Sequence, residues 1–219
     1  MTASRRLFVF DLDGTLIDSR RDIADAANEL LTRCGIAALP EAVVARMVGE
    51  GAAVLVARAF EARGARMPPD ALNQFLAIYG ERLTAHTRPY AGMLDALGQL
   101  RARGTGLAVL TNKPRRSTVT ILERLELQPF FPSDLVLCGD DPWPRKPDPA
   151  GLRHLIARAN VPAISTLLIG DSLIDWRTAR AADTSICLAR YGFGFEGFPD
   201  DLLGPDDFSV DSPAGLLTL

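Results

Sequence analysis

Short, continuous apolar runs alternate with helix-like patterns along most of the chain. The first run, Leu7 to Phe10, has four consecutive apolar residues and ends at Asp11, which is typical of a strand buried on both faces of a parallel sheet. Further strand patterns occupy 107–110, 135–138, 166–169, 185–189 and 207–210, and helical patterns between them occupy 93–103, 114–126, 149–160 and 173–182. This alternation predicts an α/β fold in which right-handed crossovers place helices on both faces of a parallel sheet.

The stretch at 40–86 differs from the rest because it contains no strand pattern. It is rich in Ala, Arg, Leu and Glu and is interrupted by glycines and prolines, which indicates several short helices. We therefore predict that residues 18–87 form a helical cap inserted into a catalytic core made of residues 1–17 and 88–219.

The composition argues against nucleic-acid binding and a membrane span, and favours a reducing compartment. The chain has 219 residues and a net charge of −3, so it suits one α/β domain with an insertion and lacks the basic footprint of a nucleic-acid binder. No apolar run approaches the roughly 20 residues that a membrane span needs. Its three cysteines show no metal-binding spacing, which favours free thiols in a reducing compartment. We expect a cytoplasmic monomer or homodimer without nucleic-acid or membrane partners.

Polar side chains follow four of the predicted strands. In chain order these are Asp11 and Asp13, then Thr111 and Asn112, then Lys146, and finally Asp171 with Asp175. Ligands bind beyond the carboxyl ends of the strands in open parallel sheets, so these side chains should converge on one cleft.

The chemistry of such a cleft points to phosphate transfer. Four converging carboxylates repel one another unless a cation joins them, and hard oxygen ligands favour Mg²⁺ together with a substrate phosphate. Lys146 and Thr111 can bind the phosphate oxygens. Asp11 can then attack phosphorus and form an aspartyl-phosphate, while Asp13 protonates the leaving group and later activates water.

These residues resemble the four motifs of the haloacid dehalogenase-like superfamily, in their usual order. The matching stretches are Asp11-Leu-Asp-Gly-Thr15, Thr111-Asn112, Lys146 and Gly170-Asp171-Ser172-x-x-Asp175. The resemblance covers nearly the whole chain and implies a Rossmann-like, doubly wound core with an α-helical cap domain inserted after the first motif.

The same resemblance implies a role for each residue. Asp11 would be the nucleophile and Asp13 the acid and base. The phosphate would be held by Thr111, Asn112 and Lys146. The Mg²⁺ ligands would be Asp11, the backbone carbonyl of Asp13, and Asp171, with Asp175 either a ligand or a residue that supports one.

A finer resemblance is to the phosphoglycolate phosphatase group, which implies 2-phosphoglycolate or a similar small phosphorylated metabolite as substrate. It rests on the run from Asp11 to Ser19 followed by Asp22-Ile23, and on Val48-Gly-Glu-Gly51, Thr111-Asn-Lys-Pro114 and Arg145-Lys-Pro-Asp-Pro149. A substrate carboxylate should meet a cation. The candidates are Arg20, Arg21, Arg46 and Lys113, each of which we interpret as a surface charge.

Other functions stay open at this point. A phosphosugar mutase, or a phosphatase for another sugar phosphate, a nucleotide or pyrophosphate, would use the same core. A non-catalytic protein that binds a phosphate ligand is a further alternative, although the presence of both Asp11 and Asp13 argues against it. Asp13 also favours a phosphatase over a dehalogenase. The length and the helical insertion argue against a response-regulator receiver.

Overall fold

The computed structural model of the protein describes residues 6–219, so residues 1–5 of the predicted core lie outside the described part. Six parallel strands form the main sheet in the order β5-β4-β1-β6-β7-β8, and β2 pairs with β3 in a separate antiparallel ribbon. The strands are β1 Leu7–Phe10, β2 Ile17–Asp18, β3 Arg88–Pro89, β4 Gly106–Leu110, β5 Val136–Leu137, β6 Thr166–Gly170, β7 Ser185–Ala189 and β8 Phe208–Val210. The predicted α/β class and parallel sheet are thereby confirmed.

The helices fall into two groups along the chain. Four lie between β2 and β3, namely α1 Arg20–Arg33, α2 Glu41–Ala45, α3 Ala52–Glu61 and α4 Ala71–Arg82. Four alternate with the strands of the main sheet, namely α5 Met93–Ala102, α6 Arg115–Arg124, α7 Ala150–Ala159 and α8 Leu173–Ala181. No helix in the described range 6–219 is long and apolar enough to cross a membrane.

The continuous apolar sequence of β1 reflects burial on both faces of the sheet. Phe8 and Phe10 belong to a hydrophobic cluster that includes residues of α5 and α6, whereas Leu7 and Val9 belong to a second cluster with residues of α7 and α8. Successive strand residues point to opposite faces, so a strand covered on both sides needs apolar residues at every position. The cluster on the α5 and α6 side continues into α1 to α4.

The antiparallel ribbon of β2 and β3 was not predicted from the sequence. It has only two residues per strand, and its partners are about 70 positions apart in the chain, at Ile17↔Pro89 and Asp18↔Arg88. Next to it, the fully buried Asp22 accepts hydrogen bonds from the N–H groups of His86 and Thr87 at 2.9 and 2.7 Å. These contacts lie at the expected borders of the helical insertion, and its division from the core as a separate domain stays a prediction.

Candidate active site

The topology brings three strand ends together at one edge of the sheet. Strand β1 lies between β4 and β6, with Phe10 opposite both Val109 and Ile169. The residues that follow these strands therefore lie side by side. The expected convergence at the carboxyl edge occurs, and it brings Asp11, Thr111 and Asp171 to neighbouring positions.

Three buried carboxylates form the centre of the site. Asp11, Asp171 and Asp175 each offer an oxygen, and these oxygens lie within 4.8 Å of one another. The Lys146 ammonium lies 2.8 Å from Asp11 Oδ1 and 2.6 Å from Asp175 Oδ1. Asp171 instead accepts a hydrogen bond from the N–H of Gly194 at 2.7 Å. One lysine thus contacts two of three carboxylates, and the group carries surplus negative charge when all three are ionised.

This crowding shifts the proton affinities of the site. Burial raises the pKa of Asp11 to about 6, although Lys146 acts in the opposite direction. Burial, then the charges of Asp175 and Asp11, raise the pKa of Asp171 well above its usual value. Burial alone would lower the pKa of Lys146, but the attraction of Asp11 and Asp175 outweighs it and raises that pKa. The lysine is therefore charged at neutral pH and stabilises the ionised form of Asp11.

The donor set fits a hard divalent cation. It consists of carboxylate oxygens, which Mg²⁺ prefers, in a buried cluster where added positive charge would relieve the repulsion between Asp11 and Asp171. The backbone also makes room at this point. A Cβ at Gly14 would lie 1.9 Å from Asp171 Oδ2, and Gly14 has a φ of +88°. Glycine alone satisfies both constraints, so the loop after β1 approaches the Asp171 carboxylate closely.

Asp175 has more partners than the other two carboxylates. Its Oδ1 contacts Lys146, and its Oδ2 accepts from the hydroxyl and the N–H of Ser172, at 2.5 and 3.2 Å. The Ser172 contacts form a capping box at the start of α8. Both oxygens of Asp175 are engaged, so this side chain is held rigidly and in turn orients Lys146.

Asp13 lies in a second group of side chains, separate from the three carboxylates. The Lys113 ammonium donates to both Asp13 oxygens at 2.9 Å and to the Tyr79 hydroxyl at 2.7 Å. The Ser19 hydroxyl donates to Asp13 Oδ1 at 2.6 Å. Tyr79 lies on α4, so this group joins the sheet edge to the helical insertion. The interpretation of Lys113 as a surface charge is wrong, because the residue is only 7% exposed.

Thr111 and Asn112 follow β4 but have different surroundings. The Thr111 hydroxyl accepts from the N–H of Lys113 at 3.2 Å and lines a cavity, so its own proton is available to a phosphate oxygen. The Asn112 amide donates to the carbonyls of Gly49 and Lys146, at 2.8 and 2.9 Å, and its Oδ1 accepts from the N–H of Lys146 at 2.9 Å. The Asn112 side chain thus links the insertion to the Lys146 loop, and its expected contact with phosphate stays a prediction.

A cavity of about 50 Å³ lies between these groups and the helical insertion. That volume is about four times the minimum needed to hold one water molecule. The sheet side contributes polar groups, Asp11, Asp13 and residues 111–113, and the insertion side contributes mostly apolar ones. The latter are Ile23, Val48, Ala52, Leu55, Phe75 and Leu76, with Tyr79 as the polar exception.

The sequence offered one signal for Lys113 that motif spacing does not give. Of the 24 Lys and Arg residues only two are lysines, Lys113 and Lys146. Both are buried at this site, at 7% and 5% exposure. Among the other cation candidates, Arg20 pairs with Asp18 at 2.6 Å and Arg46 lies 3.6 Å from Glu196. In a chain that otherwise uses arginine, both lysines thus lie at this site, where each compact ammonium contacts a carboxylate.

Comparison with known proteins agrees with this geometry. The family described as haloacid dehalogenase-like hydrolase matches residues 8–189. The phosphoglycolate phosphatase of Rhodospirillum rubrum is 44% identical over 196 residues, which cover 86% of this chain and 80% of that protein. A plasmid-encoded phosphoglycolate phosphatase of Cupriavidus necator is 37% identical over 217 residues, covering 96% and 92%.

Solved structures give the same result at the level of the fold. The crystal structure of a "predicted phosphoglycolate phosphatase" from Haemophilus somnus 129pt has a TM-score of 0.90 and 30% identity, and covers 100% of this chain and 99% of that one. The expected resemblance is confirmed, and with it the expectation of a phosphatase. The motifs, the parallel sheet, the convergent site and the matched residues 8–189 together place the chain in the haloacid dehalogenase-like hydrolase family.

Proposed function

We propose that the protein is a Mg²⁺-dependent phosphomonoester hydrolase that works through an aspartyl-phosphate on Asp11. The observation that carries this proposal is the position of the Asp11 carboxylate. It lines the cavity, lies 2.8 Å from the Lys146 ammonium, and adjoins two further buried carboxylates. A nucleophile for a phosphate ester needs an ionised oxygen at the cavity and nearby positive charge for the phosphate oxygens.

Each residue has a task in this reaction. Asp11 attacks phosphorus while Asp13 gives a proton to the leaving oxygen. Asp13 then takes a proton from the water molecule that hydrolyses the aspartyl-phosphate, which returns both side chains to their starting states. Lys146 and the Thr111 hydroxyl bind the phosphate oxygens, and Asp175 keeps Lys146 in place through its 2.6 Å contact.

The metal would be held by Asp11, Asp171 and the backbone carbonyl of Asp13. Mg²⁺ bound there would neutralise the carboxylates and bind a phosphate oxygen. Because both oxygens of Asp175 already have partners in the protein, we infer that Asp175 orients Lys146 and is not a direct ligand.

The cavity favours a small substrate, most simply 2-phosphoglycolate. The volume is about 50 Å³ and the wall opposite Asp11 is mainly aliphatic and aromatic, so the hydroxyl groups of a sugar or a nucleoside would lose their hydrogen bonds to water without compensation. The relatives named phosphoglycolate phosphatases support the same substrate. The three free cysteines support a reducing, cytoplasmic location.

The first test is phosphate release from a panel of substrates. It contains 2-phosphoglycolate, several sugar phosphates, nucleoside monophosphates, pyrophosphate and an aryl phosphate, each with Mg²⁺ and with chelator. We expect preference for 2-phosphoglycolate and no release with chelator. Preference for another ester under the same controls would retain the mechanism and replace the substrate. Absence of Mg²⁺-dependent release from every compound would overturn the proposal and favour a mutase or a binding protein.

A further inference from the structure

Lys113 is the single cation among the described residues that line the cavity. Lys146 is not part of the cavity wall, and its 2.8 and 2.6 Å contacts with Asp11 and Asp175 hold it at the phosphate end of the site under the proposed function. A ligand with two acidic groups would therefore have one group at Asp11 and Lys146 and would need another cation for the second. Lys113 is the residue in position to supply it.

The position of Lys113 suits that task. It comes two residues after Thr111, and its ammonium lies on the Asp13 side of the cavity, where the leaving group of a phosphate ester would lie under the proposed function. Its donors are shared between the two Asp13 oxygens and the Tyr79 hydroxyl. Two of its three N–H groups serve a single carboxylate, so one of them can turn to a ligand while Asp13 keeps the other.

Tyr79 provides a second donor at the same place. Its hydroxyl accepts from Lys113 at 2.7 Å, and within the part of the chain that the structure describes it donates to no protein acceptor. The side chain is only 3% exposed, and burial raises the pKa of Tyr79 to about 12, so the proton is retained at neutral pH. A buried O–H without an acceptor is costly, and a ligand oxygen in the cavity would remove that cost.

We propose that Lys113 and Tyr79 form a recognition site for a carboxylate on the leaving group of the substrate. The Lys113 ammonium and the Tyr79 O–H each donate to one carboxylate oxygen. The apolar wall contributed by Leu55, Phe75 and Leu76 has no polar side-chain atom for the rest of the leaving group, which favours a short spacer. This inference rests on the proposed phosphatase activity and specifies its substrate class as short phospho-monocarboxylates. Tyr79 lies on α4, so the helical insertion itself takes part in substrate choice.

The test compares two esters that differ only in the group recognised. Ethyl phosphate is 2-phosphoglycolate with a methyl group in place of the carboxylate. We expect Lys113→Met to lower the ratio of kcat/KM for 2-phosphoglycolate over ethyl phosphate by about 50-fold, and Tyr79→Phe by about tenfold. Each change is measured relative to the same ratio for the wild type, so the different reactivities of the two leaving groups cancel.

A matched control is Tyr90→Phe, a tyrosine outside this cavity, which should leave the ratio unchanged. Equal losses on both esters would overturn the inference, because a residue that acts only by holding Asp13 affects both. Should Lys113→Met not fold, Tyr79→Phe tests the same ratio of the two esters.

If the wild-type protein hydrolyses other phosphate esters but shows no preference for 2-phosphoglycolate over ethyl phosphate, this inference fails while the proposed function stands. If the wild-type protein hydrolyses no compound in the panel, both this inference and the proposed function are overturned.

A binding measurement tests the carboxylate site separately from the phosphatase activity, because it requires no hydrolysis. With only two lysines in the chain, protein carrying ¹³C-lysine gives two assignable side-chain signals. Glycolate should shift the Lys113 signal in the wild type and in Asp11→Asn, and the shift should be smaller in Tyr79→Phe. A shift confined to Lys146, or no shift at saturating glycolate, would overturn the assignment.

Discussion

The two buried lysines show how differently the two sides of the site are built. Lys146 is held by Asp11, which follows β1, and by Asp175, which lies in the first turn of α8. Lys113 is held by Asp13 on the sheet edge and by Tyr79 on α4, a helix of the insertion. The first group contains no residue of the insertion, and Asn112 links its Lys146 loop to the Gly49 carbonyl of the insertion. The second group includes Tyr79 of α4 and therefore requires α4 to lie against the sheet. We expect the Lys113 contacts to be more sensitive than the Lys146 contacts to movement of the insertion.

The largest effect should come from Asp11→Asn. The amide keeps the shape of the carboxylate but cannot act as the nucleophile, so phosphate release should fall by about 10⁴-fold or more. Lys146 keeps Asp175 as a partner, and the variant should fold normally by circular dichroism. Asp211→Asn, which alters an exposed aspartate, is the matched control and should retain full activity. Residual turnover above a few per cent in Asp11→Asn would contradict the assignment.

Exchange of the two lysines for methionine sharpens the comparison. Lys146→Met leaves Asp11 and Asp175 buried without their cation, and breaking such a pair costs about 3–5 kcal/mol. We expect Lys113→Met to lower the free energy of unfolding less, because it leaves one carboxylate without its cation instead of two, and this carboxylate, Asp13, keeps the Ser19 hydrogen bond. Urea denaturation of both variants measures the difference. A larger loss in Lys113→Met would mean that the insertion contact, and not the sheet edge, is the more strongly coupled of the two.

Asn112 connects the two sides, so its removal tests whether they are coupled. Asn112→Ala takes away the hydrogen bonds to the Gly49 carbonyl and to the N–H and carbonyl of Lys146. Loss of these buried bonds should cost about 2–3 kcal/mol of unfolding free energy and reduce kcat with every ester in the panel. A variant of normal stability with a raised KM alone would instead favour the sequence-based expectation that Asn112 binds phosphate.

The smallest effect concerns pH and the metal. The folded pKa of Asp11 is raised from 3.8 to about 6, so this group favours folding below its unfolded value and that stabilisation is lost as pH rises through about 6. The pKa of Asp171 is raised as well, and a metal must displace the protons that both carboxyls hold. Mg²⁺ affinity measured by calorimetry should therefore increase by about tenfold between pH 5.5 and 7.5.

The same titration contains its own control. Mg²⁺ should raise the melting temperature more at pH 7.5 than at pH 5.5, because the repulsion it relieves is present only when the carboxyls are ionised. In Asp171→Asn this pH dependence should become weaker, because Asp11 alone then exchanges a proton for the metal. Affinity that does not vary with pH would contradict a site made of Asp11 and Asp171.

The hydrophobic pattern correctly predicted those features that depend on the position of a residue within or just after a single strand. The apolar run at Leu7–Phe10 predicts a two-sided buried strand because both faces of β1 are covered. The position of Asp11, Thr111 and Asp171 after their strands predicts convergence because parallel strands end at one edge. Strand ends were less well predicted. The strand predicted at 135–138 is shorter in the structure, at Val136–Leu137, because Leu135 belongs to the 3₁₀ turn Ser133–Leu135.

Contacts between distant segments could not be predicted from the sequence. The ribbon of β2 and β3 has two residues per strand, which is too few for a periodic pattern. Beside it, Asp22 binds the returning chain at His86 and Thr87. Lys113 follows a strand and precedes a proline, which describes many surface lysines. It is buried where Asp13 and Tyr79, which lie 100 and 34 positions earlier, both contact its ammonium.

The sequence by itself determined the parallel α/β sheet, the run of helices between β2 and β3, the family, and which residues follow the strands. Hydrophobic periodicity and short motifs are sufficient for these features, because both are visible in the sequence without any contact between distant segments. The tertiary structure decided which cation serves which carboxylate. Lys146 contacts Asp11 and Asp175, and Lys113 contacts Asp13 and Tyr79. The Asn112 side chain binds backbone groups of two loops. Partner choice among buried charges depends on distances of 2.6–2.9 Å between segments far apart in the chain, and no local pattern encodes such distances.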